Sequence, residues 1–293
     1  MRRALAATCL ATVAAFVSAG TLSLAADDVE TLMGKAMAEL SKEDSSGDTS
    51  AAERYLEAVL EAQPNHLEAQ WQLLILRMAP SRNVPLSERP RILAAFSESY
   101  SHIAKLAKDS RNEAFLHYTT AWHASFYDDY DRALSEIDKA LALEPRSARY
   151  QKAKGTLLIE AGQLEDDDGE VERGIAILRR AREQARTSPS MFVHDVQFDF
   201  DVAQAIAGMQ QPRWPEVIEH YERYIQEAPP GTKTYAFALN NVSVAYRRAG
   251  DCARARESAE KALTVMKFGA AEMNKRYSDF CLEMQKPAPA AAH

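Results

Sequence analysis

The chain has 293 residues and a formal charge of −7, with 26% of its side chains charged. That length can bury a sizeable core as one long array or two compact domains, and the acidic excess argues against nucleic acid as a partner. Alanine is abundant, glycine is modest at 11 residues and aromatics are ordinary at 8%, a mix that favours packed helices over sheets.

Arg2 and Arg3 precede an apolar run over 4–17, and small residues follow through Ser23, Leu24, Ala25 and Ala26 to Asp27 and Asp28. This charged, apolar and small-residue order is that of a secretory signal peptide over 1–26, cleaved near Ala25 or Ala26. The competing reading, a membrane anchor, needs about 20 apolar residues and fits the polar Ser18, Gly20, Thr21 and Ser23 less well. The expectation is a periplasmic or secreted protein with no membrane span after cleavage. Cys9 lies too early for a lipoprotein cysteine. The 35 basic residues less Arg2 and Arg3 leave 33 against 42 acidic ones, a mature charge near −9.

Beyond the leader, Val29, Leu32, Met33, Ala36, Met37 and Leu40 mark an amphipathic helix. The polar loop KEDSSGDTS over 42–50 and a second helix with Ala52, Leu56, Val59 and Leu60 complete a two-helix unit over 28–65. The unit over 66–110 carries Trp71, Leu74, Ile75 and Met78. A proline-bounded interruption over 80–85 follows, then a helix over 89–108. The unit over 114–147 carries Ala121, Asp129, Tyr130, Ala133, Leu134, Ile137, Ala140, Leu141 and Pro145. The unit over 148–190 has small Gly155 and Gly162 but carries the acidic insertion Glu165-Asp166-Asp167-Asp168-Gly169-Glu170. That insertion delays its second helix by about seven residues and reads as a surface loop. The unit over 198–231 holds Ala205, Gly208, Trp214, Val217, Tyr221 and Tyr224. The unit over 235–268 shows a glycine stop at Gly250, a capping Asp251 and the small-residue ladder Ala255, Ala259 and Ala262. A helix over 270–284 caps the array, and the tail over 286–293, KPAPAAAH, has nothing to bury and is expected to be disordered.

Val242, Ser243, Tyr246, Gly250, Ala255, Ala259 and Ala262 match the spacing of a tetratricopeptide repeat (TPR), with Lys267 in place of the closing proline. The chain resembles that family over nearly all of its mature length. The resemblance implies an all-α, right-handed α-solenoid of stacked helical hairpins with a C-terminal capping helix. One unit cannot hide its apolar face alone, so the units stack. Only Cys252 and Cys281 remain after leader removal, and stacking makes the ends that carry them neighbours. A bridge fastening the cap is one reading, and two buried or free thiols the other.

In this family the first helix of each repeat lines a concave groove. Its groove positions fall on Phe115, Tyr118, Trp122 and Phe126 in the third unit, with Trp71, Ile75 and Met78 at the corresponding places of the second. The fourth unit adds Arg149 and Lys152, and the sixth Phe237, Asn240, Arg247 and Arg248. The expected groove is aromatic toward the N-terminal half and basic further along. A one-residue change of register would exchange groove for core, leaving Tyr118 and Trp122 open to either reading. The family's carboxylate-clamp pattern is unmatched, since Thr156 stands where an asparagine is expected four residues after Lys152.

No HExxH, GxSxG, Walker loop or CxxC is present, so no catalytic constellation assembles and no cofactor or metal is implied. The acidic run over 165–172 has Leu164 and Ile175 where an EF-hand needs acidic ligands. His194, Asp195, Asp199 and Asp201 lack a metal-binding spacing. The expected function is non-enzymatic: an exported scaffold that binds a peptide segment or helix of an envelope protein. The alternatives are a transporter-associated accessory protein, as in repeat-built components of periplasmic solute transporters, and a carrier enclosing a small hydrophobic ligand behind Trp71, Tyr118, Trp122 and Phe126.

Overall fold

A computed structural model describes residues 28–42, 49–78, 89–187 and 197–285. The leader, the 286–293 tail, most of the 42–50 loop, the interruption over 80–85, His194 and Asp195 lie outside the described residues. Among those described the chain forms thirteen α-helices and no strand. These are α1 (Val29–Lys42), α2 (Ser50–Ala62), α3 (Leu67–Met78), α4 (Arg89–Asp109), α5 (Glu113–Ser125), α6 (Tyr130–Leu143), α7 (Ala148–Glu165), α8 (Asp168–Thr187), α9 (Gln197–Ala207), α10 (Trp214–Glu227), α11 (Lys233–Arg248), α12 (Cys252–Val265) and α13 (Gly269–Met284).

Each helix packs chiefly on the ones before and after it, while α5 also touches α7 and α11 touches α13. This is the quasi-one-dimensional contact pattern of a solenoid. The core is correspondingly a row of apolar clusters. Leu32, Leu56, Val59 and Leu73 form one near the N-terminus. Trp71, Phe96, Ile103, Ile137 and Leu157 form the next. Ile175, Leu178, Phe198, Ile206, Tyr221 and Val242 form a third. Leu239, Ala262 and Ala271 close the row with Phe268 beside them. The alanines at the closest crossings, Ala121, Ala133, Ala140, Ala255, Ala259 and Ala262, are fully buried, so neighbouring backbones approach where no longer side chain would fit.

Local chemistry starts and stops these helices. Asn112, Asp129, Ser147, Thr232 and Asp251 each accept a hydrogen bond from the backbone N–H three residues on, capping α5, α6, α7, α11 and α12. The hairpin turns of the third, fourth and sixth pairs use left-handed backbone at Asp128 (φ 58°), Asp166 (φ 56°) and Gly250 (φ 88°). Glycine meets that demand without a Cβ penalty, which is why the sixth turn is legible from sequence.

The acidic insertion is not a surface loop. Glu165 ends α7, Asp166 and Asp167 make the connection, and Asp168 already opens α8. The extra residues lengthen the hairpin, giving helices of 18 and 20 residues. Two effects favour this. Asp167 caps α8 by accepting from the N–H groups of Gly169 (2.8 Å) and Glu170 (3.1 Å), and acidic side chains in a first turn suit the helix dipole. The long helices can also close on each other, because Gly155 and Gly174 face one another where they cross. A Cβ on Gly174 would stand 2.6 Å from the Gly155 carbonyl oxygen.

At the C-terminus, Cys252 and Cys281 are bonded with Cα atoms 5.7 Å apart, fastening α13 to α12. Arg256–Asp279 (2.8 Å) and Lys275–Glu260 (3.5 Å) tie the same two helices. No described helix is long and apolar enough to cross a membrane.

Candidate partner-binding groove

The first helices of the leading five hairpins, α1, α3, α5, α7 and α9, contribute to one trough. Met37, Gln72, Tyr118, Trp122, Lys152, Thr156, Gln163, Asp201 and Gln204 are among the residues that line a cavity of about 500 Å³ there. Beside it is a smaller apolar pocket of about 290 Å³, walled by Trp71, Gln72, Ile75, Met78, Tyr118, Trp122 and Phe126. Gln72, Tyr118 and Trp122 line both, so the chamber and the trough adjoin.

Six sequence-predicted groove residues therefore meet at one place: Trp71, Ile75, Met78, Tyr118, Trp122 and Phe126. Their roles differ. Trp71 is 1% exposed and its ring meets Tyr118 edge-on at 6.0 Å, so it forms the floor as part of the core. Tyr118 and Met78 are also buried, whereas Ile75, Trp122 and Phe126 are half-buried and form the walls. Phe126 stacks back on Phe96 at 4.4 Å, and the Trp122 indole N–H is enclosed without a hydrogen-bond partner. Phe115 lines neither cavity: it is 4% exposed and lies in the core beneath Arg149.

The expected basic stretch is corrected. The Arg149 guanidinium grips Glu68 of α3 with two bonds, Nη1 to Oε2 at 2.6 Å and Nη2 to Oε1 at 3.0 Å, and lies 4.3 Å over the Tyr118 ring. The Glu68 carboxylate and the Tyr118 hydroxyl outweigh burial and push the Arg149 pKa further up, so the group stays charged and paired. Lys152 pairs with Asp201 of α9 at 3.0 Å. Both cations are paired in place, and between its apolar patches the trough presents the amides and hydroxyl of Gln72, Thr156, Gln163 and Gln204 together with the carboxylate of Glu160.

The sixth unit does not extend the trough. Phe237 stacks edge-on with Phe268 at 5.5 Å, and buried Asn240 accepts from Asn274 of α13 at 2.8 Å. Arg247 sits 5.3 Å from the Tyr277 ring, and Arg248 is exposed. The cap helix, packing on α11 as the next first helix, meets Asn240 and Arg247 on the face where the groove of this unit was expected.

Sequence reasoning missed Met37, Gln163 and Gln204 as lining residues. Gln163 lies on the extended end of α7, outside any repeat pattern. Its amide rests where a Cβ on Gly208 would come within 2.6 Å, so Gly208 makes its room.

Other polar clusters serve the framework. Asp199, 1% exposed, holds Arg182 (2.6 Å), His220 (2.8 Å) and Arg223 (3.5 Å) between α8, α9 and α10. Ser97 Oγ lies 3.1 Å from His123 Nε2, but the other ring nitrogen of His123 is enclosed with no partner, so the carboxylate of a catalytic triad is missing there. The His123 ring stacks on Phe96 and on Tyr100, and burial lowers its pKa, with Arg132 adding to the shift. Among the described residues no group of three or more His, Cys, Asp or Glu could hold a metal.

No protein-family model matches the sequence, and no curated protein matches it. Solved structures do match in shape. The human IFIT1 dimer with m7Gppp-AAAA aligns over 88% of this chain at 16% identity and a TM-score of 0.56, and this chain spans 60% of that one. YrrB, a TPR protein with an unusual peptide-binding site, aligns over 77% of this chain and 97% of its own at 17% identity and a TM-score of 0.42. BtubC from P. vanneervenii aligns over 91% of this chain and 97% of its own at 12% identity and a TM-score of 0.48. At these identities the likeness concerns the fold alone: the protein is an all-helical solenoid of stacked, TPR-like hairpins.

Proposed function

We propose that the protein is a non-enzymatic scaffold whose trough holds an extended peptide segment or a helix of a protein partner, with one large apolar side chain of that partner seated in the Trp122 chamber. The observation that carries this reading is an apolar chamber adjoining an amide-rich trough whose two cations are paired. Amide side chains can bond both the N–H and C=O groups of a passing main chain, while a desolvated aromatic pocket supplies the anchor. The chamber's volume of about 290 Å³ suits a single side chain and falls at the small end for a whole ligand, which disfavours the lipophilic-carrier reading. IFIT1 is seen with m7Gppp-AAAA, but here Arg149 and Lys152 are paired with Glu68 and Asp201, leaving little positive charge for a phosphate chain.

The leader over 1–26 supports export, which would put the partner in the cell envelope and the cysteine pair in an oxidising compartment. Assembly, transport or quality control of an envelope protein, or an accessory role beside a solute transporter, would each use such a groove.

Selection from a random peptide library tests the groove reading. Wild type should enrich sequences with a recurring large apolar residue, and Trp122→Ala, folded by circular dichroism, should lose that enrichment. Equal enrichment by both proteins would sink it. Mass spectrometry of the protein exported from a bacterial host tests the location: the mature N-terminus should be Ala26 or Asp27, and a retained Met1 would refute cleavage.

A further inference from the structure

The last helix ends the solenoid with the wrong kind of surface. Terminal layers of repeat arrays ordinarily turn a polar face outward. Helix α13 instead exposes Met273, Tyr277, Phe280 and Met284, with Phe280 62% and Met284 71% exposed. Spacings of four, three and four residues put all four on one stripe about three turns long, on the side of the helix away from buried Ala271 and Ser278. The Arg247 guanidinium lies over the Tyr277 ring, 5.3 Å from its centroid, and leaves half of that residue open.

Topology says what kind of element fits the stripe. Each preceding first helix, from α1 to α11, packs against a second helix running antiparallel to it, and among the described residues α13 is a first helix without one. The charges beside the stripe say which helix fits. Lys275 and Asp279 pair inward with α12, but Arg276 and Glu283, about two turns apart on one flank of the stripe, make no ion pair among the described residues. In an antiparallel pair related by a two-fold axis, like flanks meet. An axis between Tyr277 and Phe280 brings Met273 opposite Met284, Tyr277 opposite Phe280, and Arg276 within about one turn of the partner's Glu283, twice over.

We infer that α13 is a self-association surface, and that the occupant of its stripe is α13 of a second copy of this chain, packed antiparallel. Two arrays then join end to end through their caps, and both troughs stay free. The Cys252–Cys281 bond holds each stripe in place for this pairing. The inference is independent of what the trough binds.

Sedimentation of the full chain over a range of concentrations tests it. Wild type should show a monomer–dimer equilibrium. Phe280→Glu, at an exposed position that leaves the fold intact, should give monomer throughout. Arg276→Glu should weaken association by about tenfold or more, and adding Glu283→Arg to it should restore association, since the charges then swap across the axis. A wild type that stays monomeric at all concentrations, or an association indifferent to Phe280→Glu, would overturn the inference. So would a charge-swapped double variant as weak as the single one.

Discussion

Arg149 and Glu68 belong to α7 and α3, two hairpins apart, and meet across the ring of Tyr118 on the intervening α5. One bidentate pair thereby fastens three successive first helices on the trough side of the solenoid. A repeat array draws most of its stability from nearest neighbours, so a contact that skips a unit fixes curvature as well as stability. The same pair removes the positive charge that the repeat pattern assigned to the groove.

Breaking that pair from one side leaves a buried charge behind. Arg149→Ala should destabilise the protein by about 3 kcal/mol in urea denaturation, and Arg149→Lys should recover only part of it, because an ammonium cannot reproduce the two-bond geometry. Replacing both partners with apolar residues, Arg149→Met with Glu68→Leu, should cost less than Arg149→Ala alone. Equal stability of Arg149→Ala and wild type would show the pair to be ornamental.

The α7–α8 crossing admits no side chain at Gly174. A methyl group there meets the Gly155 carbonyl oxygen at 2.6 Å and Ile159 Cγ1 at 2.7 Å, so the helices must part. Alanine gains about 1 kcal/mol in helix propensity over glycine, yet overpacking at a backbone contact typically costs about 1–3 kcal/mol. Gly174→Ala should therefore lower the melting temperature, while the same change at Gly34, where nothing stands within 4 Å, should raise or preserve it.

How much of this was open to sequence follows the range of each signal. Asp129, Asp251 and Gly250 are local devices, a cap or a stop acting within three residues, and each reads directly from the chain. The alanine ladders read equally well, because helical period alone puts them on one face. Gly155 was legible as a small residue, but its partner Gly174 was not, since only the crossing in space brings the two together. Residues such as Trp71 and Trp122 share a helical pattern, and which one becomes floor and which wall depends on the approach of the neighbouring hairpin. Glu68 and Arg149 are 81 positions apart, and no repeat spacing links them.

Acid should weaken the fold in two stages. His123 has a folded pKa below its unfolded value near 6.5, chiefly because burial disfavours the charged ring, so the unfolded chain binds the extra proton first. Its contribution is fully present above about pH 6.5 and is lost as pH falls through the folded value. Glu216 and Asp251 have lowered carboxylate pKa values, through hydrogen bonds from Arg213 and from the Arg254 N–H respectively, so their contributions are lost only at lower pH. Denaturation midpoints of wild type and His123→Gln should differ in slope between pH 5 and 6.5 and run parallel above it. Parallel curves throughout would exclude His123 as the source.

The Cys252–Cys281 bond closes a loop with a sequence separation of 29, worth roughly 3 kcal/mol on the chain-entropy model. Because α13 packs chiefly on α11 and α12, the loss should be local. Hydrogen exchange of the doubly serine-substituted chain should show faster exchange across α13 with α3 and α5 unchanged. Uniform acceleration along the chain would mean that the bond supports the whole array.

The most direct test of the groove is the affinity of a peptide selected by the wild-type protein, measured by titration calorimetry against wild type, Ile75→Ala, Trp122→Ala and Phe280→Glu. The expected result is a loss of about 30-fold for Trp122→Ala, a smaller loss for Ile75→Ala and no change for Phe280→Glu. Undiminished affinity in Trp122→Ala, with its fold intact, would contradict the chamber as the site where this protein takes hold of its partner.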